Sequence, residues 1–307
     1  MVFLFGVMMD KYLIKNEVLF DCPEIEIEKS NYEDIKLACE ILKRSLIIEE
    51  RYEIFLRNFV EIEKELLSIS LSTMVGSEQS YSTASNYRII LNQRCINFFS
   101  SSRSYLDQSI KNDLAVLLGQ DKDKLYKKIV YNLKKTNDVF EFIEELRNHV
   151  QHYGLPVHDY STPVHWDREF KNCSFSSHFC VEKKKMANDT KMSKTRMFNV
   201  MPEKINILET IREYVNIISG IHDHIRGLLR CKVADSRHLI ESIMKSYAQE
   251  YTEKISGLKV AHINDEKEIE SVPLFLKWDD VRRKLEKKNY RINNMGKRFV
   301  TSKSYGS

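Results

Sequence analysis

Between Asn31 and about Leu71 the chain contains neither glycine nor proline, while Ile35, Cys39, Leu42, Leu46, Ile54, Phe55, Phe59, Ile62, Leu66 and Ile69 keep returning at helical steps. An apolar stripe of that period, with no helix breaker inside it, predicts one long helix or two joined at a bend. Val75 to Ser85, rich in Ser and Gly, reads as a connection. A second long helix is expected over about Asn86–Leu118 and is ended by Gly119; a shorter one covers Asp121–Leu133 with Leu125, Ile129, Val130 and Leu133 inward. A fourth runs from Asn137 to Tyr153, with Val139, Ile143, Leu146 and Val150 on its apolar face, Asn137 or Asp138 as cap, and Gly154 and Pro156 as the stop. Four helices joined by short loops predict an up-and-down bundle.

The flanks read differently. Tyr12-Leu13-Ile14, Val18-Leu19-Phe20 and the alternating Glu24–Glu28 suggest short strands, and Met1–Met9 a buried strand or packed terminal segment. From Val157 to about Asn188 Pro163, Val164, Trp166, Phe170, Cys173, Phe175, Phe179 and Val181 alternate with polar residues, which predicts a β-hairpin inserted beside the fourth helix. Helical period returns from Pro202, placed in a first turn, to Leu229, and again over Asp235–Tyr251. The expected fold class is therefore mainly α: a helical bundle with a small β-hairpin insertion and short N-terminal strands. The expected division is residues 1–30 as strands packed on the core, 31–156 as the bundle, 157–200 as the insertion, 201–252 as further core helices and 253–307 as a basic C-terminal extension.

Composition narrows the function classes. At 307 residues, 42% hydrophobic and 30% charged, the chain can bury a substantial core of ordinary soluble type. Met1–Met9 has no positive leading region and is too short to span a bilayer, so no membrane partner is expected. The six cysteines are too sparse for a disulfide scaffold, and reduced thiols in a cytoplasm fit best. His158, His165, Cys173, His178 and Cys180 lack the short paired spacings of a zinc site, so neither a metal nor another cofactor is expected. No Gly-x4-Gly-Lys, HExxH or Gly-x-Ser-x-Gly occurs, which leaves nucleotide hydrolysis, zinc proteolysis and ester hydrolysis without a motif. Positive charge collects late: residues 183–307 hold 26 Lys and Arg against 16 Asp and Glu. That end, with Trp278, Tyr290 and Phe299 among its cations, suits a phosphate backbone or simply a solvated surface.

The compact group of chemical side chains lies in Leu146-Arg147-Asn148-His149-Val150-Gln151-His152. Asn148 and His152 are four apart and share a helix face, and the long stem of Arg147 brings its guanidinium toward the same place. An imidazole is the side chain whose ordinary titration range lets it take or give a proton near neutrality, and a guanidinium stays charged and can fork onto phosphate oxygens. This Arg-x4-His string, with a polar residue next to the Arg, resembles the signature of the HEPN superfamily of all-helical domains. Many members are metal-independent endoribonucleases of toxin–antitoxin, antiphage and RNA-guided defence systems. The resemblance covers the motif helix and the helices before it, and it implies a HEPN-like bundle.

What it implies for function is specific. His152 would be the acid or base, Arg147 would stabilise the phosphorane, and Asn148 would orient His152 or donate to the phosphate. Products would carry a 2′,3′-cyclic phosphate and a 5′-hydroxyl. Gln151, Tyr153 and the run Lys183, Lys184, Lys185 are the candidate substrate contacts. Several family nucleases place a Tyr two residues after the motif His, where this chain has Gly154. Because one motif copy is thin for two proton transfers, a homodimer with a composite active site is expected, acting on RNA, with an antitoxin or defence-system partner. The alternative is a catalytically inactive HEPN-like module that binds nucleic acid or a partner protein.

Overall fold

The computed structural model describes residues 10–17, 22–76, 80–250 and 256–301. The expectations for Met1–Met9 and Val18-Leu19-Phe20 lie outside the described residues. In chain order the elements are β1 (Asp10–Asn16), β2 (Ile25–Glu26), α1 (Lys29–Met74) and α2 (Tyr81–Ser104). The latter continues through a π-helical stretch (Tyr105–Leu114) into α3 (Ala115–Leu118). Then come α4 (Lys122–Tyr126), a second π-helical turn (Lys127–Tyr131), α5 (Asn132–Thr136), α6 (Asp138–His152), β3 (Asp159–Ser161), β4 (Val164–Trp166), β5 (Cys173–Phe175) and β6 (His178–Glu182). The rest is α7 (Lys183–Met186), a 3-10 turn (Met192–Lys194), α8 (Arg196–Val200), β7 (Lys204–Asn206), α9 (Ile207–Glu250), β8 (Leu258–Asn264), β9 (Lys267–Pro273), α10 (Lys277–Lys288) and a last 3-10 turn (Met295–Lys297). The protein is mainly helical with small antiparallel sheets.

Two compact units emerge, one from residues 1–50 and 226–288, the other from 51–225 and 289–307. In the first, the antiparallel sheet runs β2-β1-β8-β9. Strand β1 pairs with β8 from Asp10 opposite Asn264 to Asn16 opposite Leu258. Tyr12, Leu13, Ile14, Val260 and Ala261 are buried, as are Tyr32, Ile35, Ala38 and Leu42 of α1. The carboxylate of Asp279, fully buried, is held between Arg237 and Arg282. A groove of about 640 Å³ between α1 and β9, lined by residues such as Cys39, Leu46, Ile47 and Trp278, contains none of the predicted site residues.

The second unit is a helical bundle. Phe55 and Phe59 of α1, Phe98 of α2, Phe140 of α6 and Tyr214 of α9 meet in its centre, with Phe55 5.2 Å from Phe98 and Phe140 stacked on Tyr214 at 5.5 Å between ring centroids. Strands β3-β6-β7 form one small sheet and β4-β5 a separate hairpin. Along the π-helical stretch Tyr105, Leu106, Ser109, Ile110, Asp113 and Leu114 are buried. Gly119, at φ +62°, closes α3 as its sequence position predicts.

Several expectations are corrected. Ile54 is 52% exposed, because Phe55 beside it takes the inner position. The helices expected from Pro202 to Leu229 and from Asp235 to Tyr251 are one, α9; nothing between Arg230 and Ala234 can stop a helix, and Val233 is buried there. Pro202 precedes a strand, β7, whose Lys204–Asn206 pair with Glu182–Cys180 of β6. Strands β8 and β9 have no counterpart in the sequence reading. Among the described residues no helix is long and apolar enough to cross a membrane.

Candidate active site

Helix α6 carries the motif. Asn137 caps it by accepting the Phe140 N–H at 2.8 Å, and Phe140, Phe142, Ile143 and Leu146 are buried. Val139 and Val150, expected inward, are only half-buried. Their place is taken by His149, which is 3% exposed.

The segment 189–196 straps α6 from end to end. Near the end of the helix the His149 Nδ1 lies 3.1 Å from Asp189 Oδ2. The other Asp189 oxygen accepts the backbone N–H of Lys191 at 2.9 Å and of Met192 at 3.1 Å. Burial pushes the Asp189 carboxyl upward, but the Met192 and Lys191 N–H groups and His149 outweigh it and hold it below the usual carboxylate range. An ionised Asp189 can only accept, so the His149 Nδ1–H donates to Asp189 Oδ2. At the start of α6, Arg196 pairs with Asp138, and its backbone N–H donates to Glu141 at 3.0 Å. The Tyr153 ring lies flat on His149, 5.6 Å between centroids at 10°.

Along α6 a largely half-buried polar chain runs Lys134, Glu145, Asn148, Arg147, Gln151, reaching the surface at Gln151. Lys134 pairs with Glu145. The Asn148 Nδ2 donates to Glu145 at 3.0 Å, the Asn148 Oδ1 accepts from Arg147, and another Arg147 N–H donates to Gln151 Oε1 at 3.1 Å. Burial raises the Glu145 carboxyl, yet hydrogen bonds from Lys134 and Asn148 and the charges of Lys134 and Lys191 bring it below its ordinary value. Arg147 Nε is buried without a hydrogen-bond partner. The bonds to Asn148 and Gln151 fix the direction of the guanidinium, and the buried Nε is closed to a ligand. His152, the last residue of α6, is exposed.

Each predicted residue can now be placed. Asn148 orients Arg147 through its Oδ1, a different task from the one expected toward His152. Gln151 and Tyr153 are exposed beside the motif. Lys183 points inward, donating to the Met201 carbonyl at 3.3 Å and lying 5.3 Å from the Phe198 ring. Lys184 and Lys185 are exposed and pair with Glu182 at 3.5 and 3.6 Å. Lys183 is therefore engaged within the chain, Lys184 and Lys185 make only loose surface pairs with Glu182, and Lys191 acts on Glu145 beside the motif. The sequence reading missed the His149–Asp189 pair. Its signal was present, since His149 falls three residues after Leu146 on the inner stripe and Asp189 opens a turn through Lys191 and Met192. His158, near that pair, accepts the Glu182 N–H on Nδ1 at 2.9 Å, and burial together with the Lys185 charge lowers its pKa to about 4.

All six cysteines are free thiols. Among the described residues no group of three or more His, Cys, Asp and Glu side chains could hold a metal ion. Comparison of the chain with protein-family models, curated proteins and solved structures found no match.

Proposed function

We propose that the chain is a metal-independent endoribonuclease of HEPN type. The observation that carries this reading is a guanidinium held in direction by Asn148 and Gln151, five residues before an exposed imidazole at the end of the same helix. Cleaving RNA without a metal requires a base for the ribose 2′-OH, positive charge against the phosphorane and an acid for the departing 5′-oxygen. His152 exchanges the proton, and the remaining Arg147 N–H groups bridge the phosphate oxygens. The 2′-oxygen bonds to phosphorus as the bond to the 5′-oxygen breaks, leaving a 2′,3′-cyclic phosphate and a 5′-hydroxyl. Tyr153 and Lys191 border the path of the strand.

One imidazole cannot be base and acid in the same step, so the site is completed by a second copy of the chain, as a homodimer. The cellular setting consistent with this chemistry is a cytoplasmic toxin or antiphage component held in check by a partner. The engagement of Lys183, expected at the substrate, with the Met201 carbonyl and Phe198 favours a second reading, an inactive module that binds nucleic acid or a partner protein through other residues. One experiment separates them: RNA incubated with the purified protein in EDTA, with end groups analysed. Cyclic-phosphate ends made by wild type and lost in both Arg147→Ala and His152→Ala support the nuclease; cutting that survives in both variants refutes it.

A further inference from the structure

The hairpin β4-β5 presents an arrangement that packing does not explain. All three residues of β4 are exposed; Trp166 is 57% and Phe170 76% exposed, and their rings lean together at 6.5 Å between centroids and 38°. Phe170 also sits at φ +55°, a backbone conformation that glycine or asparagine adopts with less strain. A bulky ring held in a disfavoured conformation and turned to water contributes nothing to a core, which points to a role outside it. The charges around the rings are mostly spent. The Asp167 carboxylate takes the Lys171 N–H at 2.8 Å and the Asn172 amide at 2.7 Å, and Glu169 pairs with Lys171. Arg168, exposed between them, has no partner among the described residues.

We propose that this hairpin tip is a second RNA contact, where Trp166 and Phe170 stack unpaired bases and Arg168 holds the adjoining phosphate. The proposal rests on the ribonuclease reading above and adds where the strand is gripped away from the cut. Two flat rings beside a spare cation suit successive bases, each of which offers a π-face, and such stacking tolerates any sequence. A protein partner fits poorly: a stable interface covers about 800 Å² on each side with 20 to 30 residues, and polar Asp167, Glu169 and Asn172 break up the tip. The hairpin follows the motif helix closely. From His152 to Trp166 the chain spans at most about 50 Å, which bounds the gap that an RNA strand continuing from the motif has to bridge. The preferred substrate is then single-stranded RNA long enough to bridge motif and hairpin, with shorter pieces cleaved but weakly held.

The test uses the full chain and labelled single-stranded RNAs of graded length, with a duplex of the same sequence as control. Trp166→Ala and Phe170→Gly should each weaken binding of the long RNA by about tenfold or more, and Arg168→Gln by less. Cleavage of the shortest RNAs should be unchanged in all three. Phe170→Gly is the decisive variant, because it relieves the strained φ and should raise the melting temperature while lowering affinity. A structural ring would instead lower both. Undiminished affinity in the hairpin variants, with cleavage still dependent on His152, overturns this proposal and leaves the nuclease reading standing. Loss of self-association in these variants with unaltered RNA affinity also overturns it, assigning the tip to a second copy of the chain. Absence of any RNA binding by wild type removes both readings.

Discussion

Removing the imidazole of His149 probes the strap along α6 directly. The ring is 3% and Asp189 2% exposed, and the 3.1 Å bond between them is one of three donors to the carboxylate. A hydrogen bond to a charged group is worth about 1.5–3 kcal/mol, and cutting a buried ring back to Ala adds the loss of its packing. The backbone N–H groups of Lys191 and Met192 remain on Asp189, so His149→Ala should cost about 3 kcal/mol in all, with the lost stacking of Tyr153 included. His149→Asn keeps an amide N–H where Nδ1 stood and should lose only about 1 kcal/mol, the usual worth of one hydrogen bond. In melting temperature these are decreases of about 6–12 °C and about 2–4 °C for a unit of this size. Urea denaturation followed by circular dichroism gives both values. Cleavage should fall in His149→Ala, because Lys191 and the end of α6 come loose together, and largely persist in His149→Asn. If the two variants are equally unstable, ring packing rather than the bond to Asp189 holds the strap, and the reasoning fails.

Other outcomes follow from the same geometry. His152→Ala, at an exposed position, should abolish cleavage while shifting stability by no more than about 0.5 kcal/mol, measured on one preparation by end-group analysis and thermal melting. His158 is ordinarily half-protonated near pH 6.5 and is lowered to about 4 in the folded chain, so folding favours its neutral form. Its contribution is complete above pH 6.5 and disappears as pH falls from 6.5 to about 4. The full shift corresponds to about 3.4 kcal/mol, and partial exposure reduces this to roughly 1–2 kcal/mol. Urea midpoints should therefore decline over that window in wild type and less so in His158→Gln, whose side-chain oxygen can still accept the Glu182 N–H; parallel declines would contradict it. Asp279→Ala removes the buried carboxylate between Arg237 and Arg282, and because Arg237 keeps Glu241 and Asp280 and Arg282 keeps Glu286, it should cost about 2–3 kcal/mol by chemical denaturation.

Local regularities carried much of the fold. A stripe without breakers specified α1, and Asn137 and Gly119 marked helix ends through cap and left-handed turn, whereas the π-helical turn at Tyr105–Leu114 was not read from the sequence. The same logic failed where two residues competed for one face, as Ile54 and Phe55 did, and where a strand of three residues near Pro202 gave too short a pattern to distinguish from a helix start. The candidate site divides similarly. Arg147, Asn148 and Gln151 are neighbours on one helix, so their spacing alone brought their side chains into one hydrogen-bonded row, with His152 at the exposed end of the same helix.

By itself the sequence determined the course of the long helices before Gly154, most of their apolar stripes and that an arginine and a histidine share the last turns of α6, while α10 (Lys277–Lys288) went unread within a basic extension. These properties depend on residues within a few positions of one another, and helical geometry converts spacing into direction. Only the tertiary structure decided what meets those sides: Asp189 against His149 across forty residues, β8 against β1 over most of the chain's length, Phe198 against Lys183, a lysine expected at the substrate. Spacing says which way a side chain faces, but whether a charge is met by a partner or by water is fixed when distant segments pack, and that choice separates an engaged lysine from a free one.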